Sequence, residues 1–177
     1  MIRRIFFNSS AILLIFFLSL ILSVSSVFSV PSAPWEIDEI DGKAAPNFEL
    51  ATINGQTISL SSLKGKVVLL NFWATWCPPC KEEMPSMEAL SKMFKNKNFT
   101  VLAATPNSLS DVQKFTKKNP VGFTLLLDPN NKVSKSFKVY MLPITFLINK
   151  EGVIVKKYIG AQNWTEHPIV EDIKKLL

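Results

Sequence analysis

The chain has 177 residues, 47% of them hydrophobic and 19% charged, which is enough for one domain with a real core beside an N-terminal targeting segment. Its formal charge is +6, but two of those charges are Arg3 and Arg4, and from Pro31 onward 18 Lys+Arg face 14 Asp+Glu. The lysines are scattered, with Lys117-Lys118, Lys156-Lys157 and Lys174-Lys175 as isolated pairs, so the pattern argues for a solvated surface and against nucleic-acid binding.

Arg3 and Arg4 precede an apolar run, AILLIFFLSLILSV (residues 11–24), and no acidic residue appears before Glu36. A basic stretch followed by an apolar one is an export signal, oriented with the arginines inside. Residues 1–30 are therefore expected to be a signal peptide or an N-terminal membrane anchor. Val27 and Ser29 suit a cleavage site, yet roughly 20 apolar residues also suffice to span a bilayer. No cysteine lies nearby, which excludes a lipoprotein anchor. The expected location is the periplasm or the extracytoplasmic face of the cytoplasmic membrane, free or tethered. Residues 31–44, with Pro31 and Pro34, read as a linker, and residues 45–177 as the folded domain.

Within that domain FELATINGQTISL alternates on either side of Asn54-Gly55, predicting a hairpin with a two-residue turn. KVVLLNF (residues 66–72) is apolar without alternation, as a strand buried on both faces should be. Residues 78–95 turn helical, with Met84, Met87, Leu90 and Phe94 at three- and four-residue spacing. TVLAAT is a second buried strand, followed by a helix capped at Ser110 or Asp111 and running to about Lys118. FTLLLD predicts a strand and KVSKSF a short helix. ITFLIN and VIVKKYI flank a turn at Lys150-Glu151-Gly152, and residues 165–177 close the chain as an amphipathic helix. Parallel strands joined through helices, then an antiparallel hairpin, give an α/β fold: a mixed sheet with helices on both faces.

The only two cysteines lie in NFWATWCPPC (residues 71–80), where the first buried strand hands over to a helix. In open α/β sheets chemistry gathers at such carboxyl ends of strands. A zinc site would need three or four ligands, and the lone His167 is far along the chain, read as a surface residue near a helix start. A c-type haem attachment needs a histidine where Lys81 stands. As a structural staple, a disulfide closing four residues contributes only roughly 2 kcal/mol. A redox couple remains. Cys77 begins a helix, whose unpaired amides and dipole stabilise a thiolate, and Cys80 lies one turn on. Pro78 suits the first helical position, and Pro79 stiffens the loop. The two prolines remove two amide donors, leaving those of Cys80 and Lys81 to hold the thiolate. Cys77 is thus expected to be only moderately acidic, which favours a reductant over an oxidant.

WCPPC, followed by KEEMP and later by MLPITFLIN, resembles the thioredoxin superfamily, in particular its exported TlpA/ResA-like thiol-disulfide oxidoreductases, over residues 45–177. The resemblance implies a thioredoxin-like fold in which PNFEL…ISL is an N-terminal β-hairpin and residues 119–140 are a central strand-helix insertion. It makes Cys77 the nucleophile and Cys80 its buried partner. Pro143 matches a cis-proline facing the disulfide, whose bond would expose the Leu142 backbone to a substrate strand; an ordinary trans proline at a strand start is the alternative. Pro85 matches the proline that kinks the active-site helix. Trp76 matches an aromatic beside the cysteines, with plain core packing as its rival. Many thioredoxins carry a buried Asp where Asn71 stands, and Asn cannot titrate. Glu83 matches a glutamate after the motif and, three residues past Cys80, shares its helical face, where it could take the proton that Cys80 must lose; a solvated Glu beside Glu82 is the alternative.

The resemblance implies a dithiol reductase acting on protein disulfides, with haem-site cysteines of apocytochrome c as targets and a membrane-embedded thiol donor to recharge it, because the exported compartment is oxidising. No cofactor is expected beyond the Cys77–Cys80 disulfide. Motif and fold leave an oxidase or isomerase open. A redoxin-type peroxidase would place Thr and Pro where Ala74 and Leu70 stand. A non-enzymatic binding module would use only the groove beside Pro143.

Overall fold

A computed structural model describes residues 42–177, so the expected signal or anchor, residues 1–30, and most of the linker lie outside the described residues. The described elements are β1 (Glu49–Thr52), β2 (Thr57–Ser59), a 3-10 turn (Leu60–Leu63), β3 (Val67–Phe72), α1 (Pro78–Met93), β4 (Phe99–Thr105), α2 (Leu109–Lys118), β5 (Thr124–Leu127), α3 (Lys132–Ser136), β6 (Ile144–Ile148), β7 (Ile154–Ile159) and α4 (His167–Leu176). The seven strands form one sheet in the order β2-β1-β5-β4-β3-β6-β7. Among these residues no helix is long and apolar enough to cross a membrane.

β3 sits near the centre, parallel to β4 and antiparallel to β6, and every one of its residues is buried. This is the physical reason for its unbroken apolar run: both faces meet a core. Val67 and Leu69 join one cluster with Met84, Met87 and Leu90 of α1, Val112 of α2, and Ile169 and Ile173 of α4. Val68, Leu70 and Phe72 join the opposite cluster with Val133 of α3, Phe137 and Phe48. The steps β3→β4→β5 move the same way across the sheet, so right-handed crossovers put α1 and α2 on the same face. The mixed thioredoxin-like sheet with helices on both faces is therefore present, with the N-terminal hairpin paired to β5 at one side.

Two local expectations are corrected. The β1–β2 turn holds three residues, not two. A two-residue turn of that kind needs φ > 0 at both Asn54 and Gly55, and only Gly55 has it (φ 82°). The Thr52 amide instead donates to the Gln56 carbonyl (2.7 Å), while Thr52 Oγ1 accepts from the amides of Asn54 (3.3 Å) and Gln56 (3.1 Å). The turn at residues 150–152 is built the same way, with Asn149 Oδ1 accepting from the amides of Glu151 and Val153. The cap of α2 is Ser108, whose Oγ accepts from the Asp111 amide (3.2 Å) and donates to the Asp111 carboxylate (2.7 Å), a reciprocal pairing that starts the helix sooner than Ser110 would.

Phe137, fully buried, contacts the rings of Phe48, Phe72 and Phe146 and so joins the N-terminal hairpin, the central strand and the inserted helix. Phe137→Ala is expected to cost about 3–5 kcal/mol by urea unfolding, the range for a truncated core aromatic. A loss below about 1 kcal/mol would show that the inserted segment is not part of the same cooperative unit.

Candidate active site

β3 ends at Phe72, and the chain then crosses the top of the sheet before entering α1. That crossing is tied to β4 and to the loop after it. The Trp73 amide donates to the Ala104 carbonyl (3.1 Å), and the Thr75 amide to Asn107 Oδ1 (2.8 Å), which also accepts from Thr105 Oγ1 (2.9 Å). Cys77 is the N-cap of α1, with extended backbone, and Pro78 and Pro79 fill the first helical positions where no intrahelical donor is needed. The two cysteines are joined as a disulfide across a Cα–Cα distance of 5.4 Å.

The Cys80 amide donates to Cys77 Sγ at 3.3 Å. Contrary to the expectation that both amides hold this sulfur, the Lys81 amide in the disulfide form donates to the Cys77 carbonyl oxygen (3.3 Å), as the first full turn of the helix requires. One backbone amide is thus bonded to the outer sulfur, not two. Cys80 is fully buried, while Cys77, 4% exposed, lines a groove of about 560 Å³ that Cys80 does not reach.

Trp76, Pro78 and Pro79 form one wall of the groove, and Val139, Tyr140, Met141 and Leu142 another. Trp76 is 67% exposed, so core packing does not account for it. Tyr140 (88% exposed) and Met141 stand out on the opposite wall; Met141 begins the quoted MLP stretch, but neither residue was singled out by sequence. Asp128 also lines the groove, its carboxylate accepting from the amides of Val133 (3.2 Å) and Ser134 (2.9 Å) and so anchoring α3. Antiparallel pairing sets Ile144 opposite Phe72, which brings the preceding Leu142-Pro143 to the cysteine loop. The Leu142–Pro143 bond is cis, and Pro143 is buried. Among the described residues neither the amide nor the carbonyl of Leu142 has a hydrogen-bond partner.

Glu83 follows Cys80 by three residues on the buried face of α1 and is 2% exposed, whereas Glu82 is exposed. Its Oε1 accepts from Asn71 Nδ2 (2.8 Å), and its Oε2 from Trp164 Nε1 (3.1 Å) and the Gln162 amide (3.2 Å). Asn71 Nδ2 also donates to Thr145 Oγ1 (2.9 Å), so Asn71 links β3, β6 and α1. Burial raises the Glu83 pKa from 4.5 to about 7, more than the three donors lower it. Such a carboxyl can exchange a proton near neutral pH, which an ordinary surface glutamate cannot do. Gln162, Trp164 and Thr145 were missed by sequence reasoning. The first two lie some eighty residues beyond Glu83, with no local signal. Pro85 lies on the exposed side of α1, and the helix runs on through it.

The raised Glu83 pKa makes the folded state pH-dependent. Below about 4.5 the carboxyl is protonated in folded and unfolded chains alike. Between 4.5 and about 7 only the folded chain keeps its proton, so stability falls as pH rises, and above about 7 the penalty is constant. The disulfide-bonded protein should lose on the order of 2–3 kcal/mol across that window, and Glu83→Gln should flatten the decline. Urea midpoints between pH 4.5 and 7.5 check this; a Glu83→Gln profile parallel to that of the wild type would place the titration elsewhere.

The AhpC/TSA family matches this chain over residues 42–157. The thiol-disulfide oxidoreductase ResA of Bacillus subtilis (strain 168) is 45% identical over 122 residues, covering 68% of each chain. A ResA of Bacillus cereus is 41% identical over 122 residues, covering 68% of this chain and 70% of its own. Among solved structures, a candidate thiol:disulfide interchange protein DsbE from Chlorobium tepidum superposes with a TM-score of 0.72 at 31% identity, covering 77% of this chain and 96% of that one.

Proposed function

This chain belongs to the AhpC/TSA family and is a protein thiol-disulfide oxidoreductase, and on that premise we propose that it works as an exported dithiol reductase serving cytochrome c maturation. The observation that carries the direction of electron flow is the single amide bonded to Cys77 Sγ. Strong oxidants of this fold owe their potential to a reduced form that is specially stabilised, and the one backbone donor that meets Cys77 Sγ in the disulfide form supports a reduced form with little such help.

In the proposed cycle the Cys77 thiolate attacks one sulfur of a target disulfide. The S–S bond breaks, the far target cysteine leaves as a thiolate, and a mixed disulfide remains. Glu83, ionised, takes the Cys80 proton. The Cys80 thiolate attacks Cys77 Sγ and expels the second target cysteine, so that two electrons have passed to the target. The free backbone groups of Leu142 support pairing with an extended target segment, and Trp76 forms the facing wall of the groove. Recharging the Cys77–Cys80 disulfide requires a thiol donor, which we assign to a membrane protein passing electrons outward. The apolar run at residues 11–24 supports export, with the chain released or tethered.

The reduction potential of Cys77/Cys80, measured against a dithiothreitol or glutathione buffer, is expected near or below about −270 mV. A value near −120 mV would make the protein an oxidant and remove the cytochrome c reading with it. Cys80→Ala, lacking the resolving thiol, is expected to accumulate mixed disulfides with target protein, visible on non-reducing gels, while Cys77→Ala forms none. Equal trapping by both variants would contradict the assignment of Cys77 as nucleophile.

A further inference from the structure

The two ends of the sheet differ in charge. At the disulfide end Lys81, Lys132, Lys135 and Lys138 are matched by Glu82, Asp111, Asp128 and Glu166. The opposite end, where β3 and β4 begin, gathers lysines from separate loops. Lys64 and Lys66 precede β3, and Lys95 and Lys97 precede β4, whose first residue Phe99 pairs with Val67. Lys150 lies in the β6–β7 turn, its carbonyl accepting from the Gly65 amide (2.9 Å). Lys174 and Lys175 end α4 beside it, since Lys150 Nζ donates to the Leu177 carbonyl. Four acids among the described residues lie toward this end: Glu88, Glu171 and Asp172, which pair with lysines, and Glu151; Glu36, Asp38, Glu39 and Asp41 precede Gly42 in the sequence. Lys43, Lys64, Lys66, Lys95 and Lys97 are all exposed, and none forms an ion pair among the described residues.

The same end receives the described chain's first residues. The Gly42 amide donates to the Ile154 carbonyl (2.7 Å), the Ala45 amide donates to the Gly152 carbonyl (2.9 Å), and Ala44 bridges Val153. Only residues 25–41 separate Gly42 from the apolar run 11–24, a length that spans at most about 60 Å. We propose that this lysine-rich end is a docking surface for anionic phospholipid, so that the domain rests on the membrane with its disulfide turned away. The proposal rests on the membrane tether considered above. Exposed lysines from three separate segments, held on the side from which the chain continues toward an apolar segment, complement the negative potential of an acidic leaflet. β3 alone sets the disulfide about 20 Å from that end. That is beyond the screening length of about 10 Å at 0.1 M salt, so lipid charge leaves the cysteine chemistry untouched.

The test uses the full chain reconstituted into vesicles of phosphatidylcholine, alone or with about one third phosphatidylglycerol, with lysine acetylation read by mass spectrometry. Lys64, Lys66, Lys95 and Lys97 are expected to react at least threefold more slowly on the anionic vesicles, with the difference lost in 0.5 M NaCl, while Lys81, Lys132 and Lys135 react alike on both. The quadruple variant Lys64→Glu, Lys66→Glu, Lys95→Glu and Lys97→Glu should remove the slowing that the anionic lipid produces at Lys43 and Lys150. Its disulfide should still be reduced by dithiothreitol at the wild-type rate, which reports that the fold is intact. Equal labelling on both vesicles, slowing confined to the disulfide end, or slowing that survives salt would each overturn the proposal. Equal protection by soluble polyglutamate would assign the surface to an acidic protein instead. Failure of the chain to float with phosphatidylcholine vesicles in 0.5 M NaCl would refute the tether alone, and the salt-sensitive difference between lipids would still report on the surface.

Discussion

The buried carboxylate of Glu83 is the group around which the site is arranged. It stands beneath a disulfide in an apolar core, where an isolated charge is costly, and it is tolerated because three donors converge on it. Those donors come from β3, from the Gln162 backbone and from the Trp164 ring, so one side chain draws together segments that share no sequence proximity. Ser86 adds a second tie, its hydroxyl donating to the Glu83 carbonyl and accepting from the Trp164 amide. The loop after β7 is therefore laced to α1 at two successive turns. The donors do not cancel the cost of burial, and the residual imbalance is what leaves the carboxyl ready to exchange a proton at neutral pH.

The groove depends on a second buried acid used differently. Asp128 caps α3 through two backbone amides, and its own amide donates to the Thr105 carbonyl (2.7 Å), holding the inserted helix against the end of β4. The wall formed by residues 139–142 leaves that helix and returns into β6. One face of the groove is thus the rigid start of α1, and the other is a short connection anchored at both ends. Glu83 governs what happens at the sulfurs, and Asp128 governs the shape that surrounds them.

Much of this was legible in the sequence, for reasons that can be named. The unbroken run VVLLNF marked a strand covered on both sides, and it proved to lie between two apolar clusters. The cysteine spacing and the prolines placed the redox pair at a helix start. Glu83 could be placed on the inner face of α1 by its distance from Cys80. Its partners Gln162 and Trp164 could not, because that meeting is created by the return of β7 and the loop after it. Small-scale hydrogen bonding was also hidden. Nothing in ATINGQT says that the Thr52 hydroxyl favours a three-residue turn, and nothing in SLSD separates Ser108 from Ser110 as a cap until the Asp111 side chain is seen to reciprocate. The use of the Lys81 amide by the Cys77 carbonyl follows from helix geometry and was lost by counting donors without assigning their acceptors.

The spread of Glu83's partners along the chain bears on how the protein is made. A polypeptide that emerges amino end first presents both cysteines, and Asn71 beside them, while Thr145, Gln162 and Trp164 are still to come. Until that last stretch is synthesised and folded back onto α1, the cysteine pair exists without the cage that sets its proton acceptor. The redox pair is thus present early and tuned late.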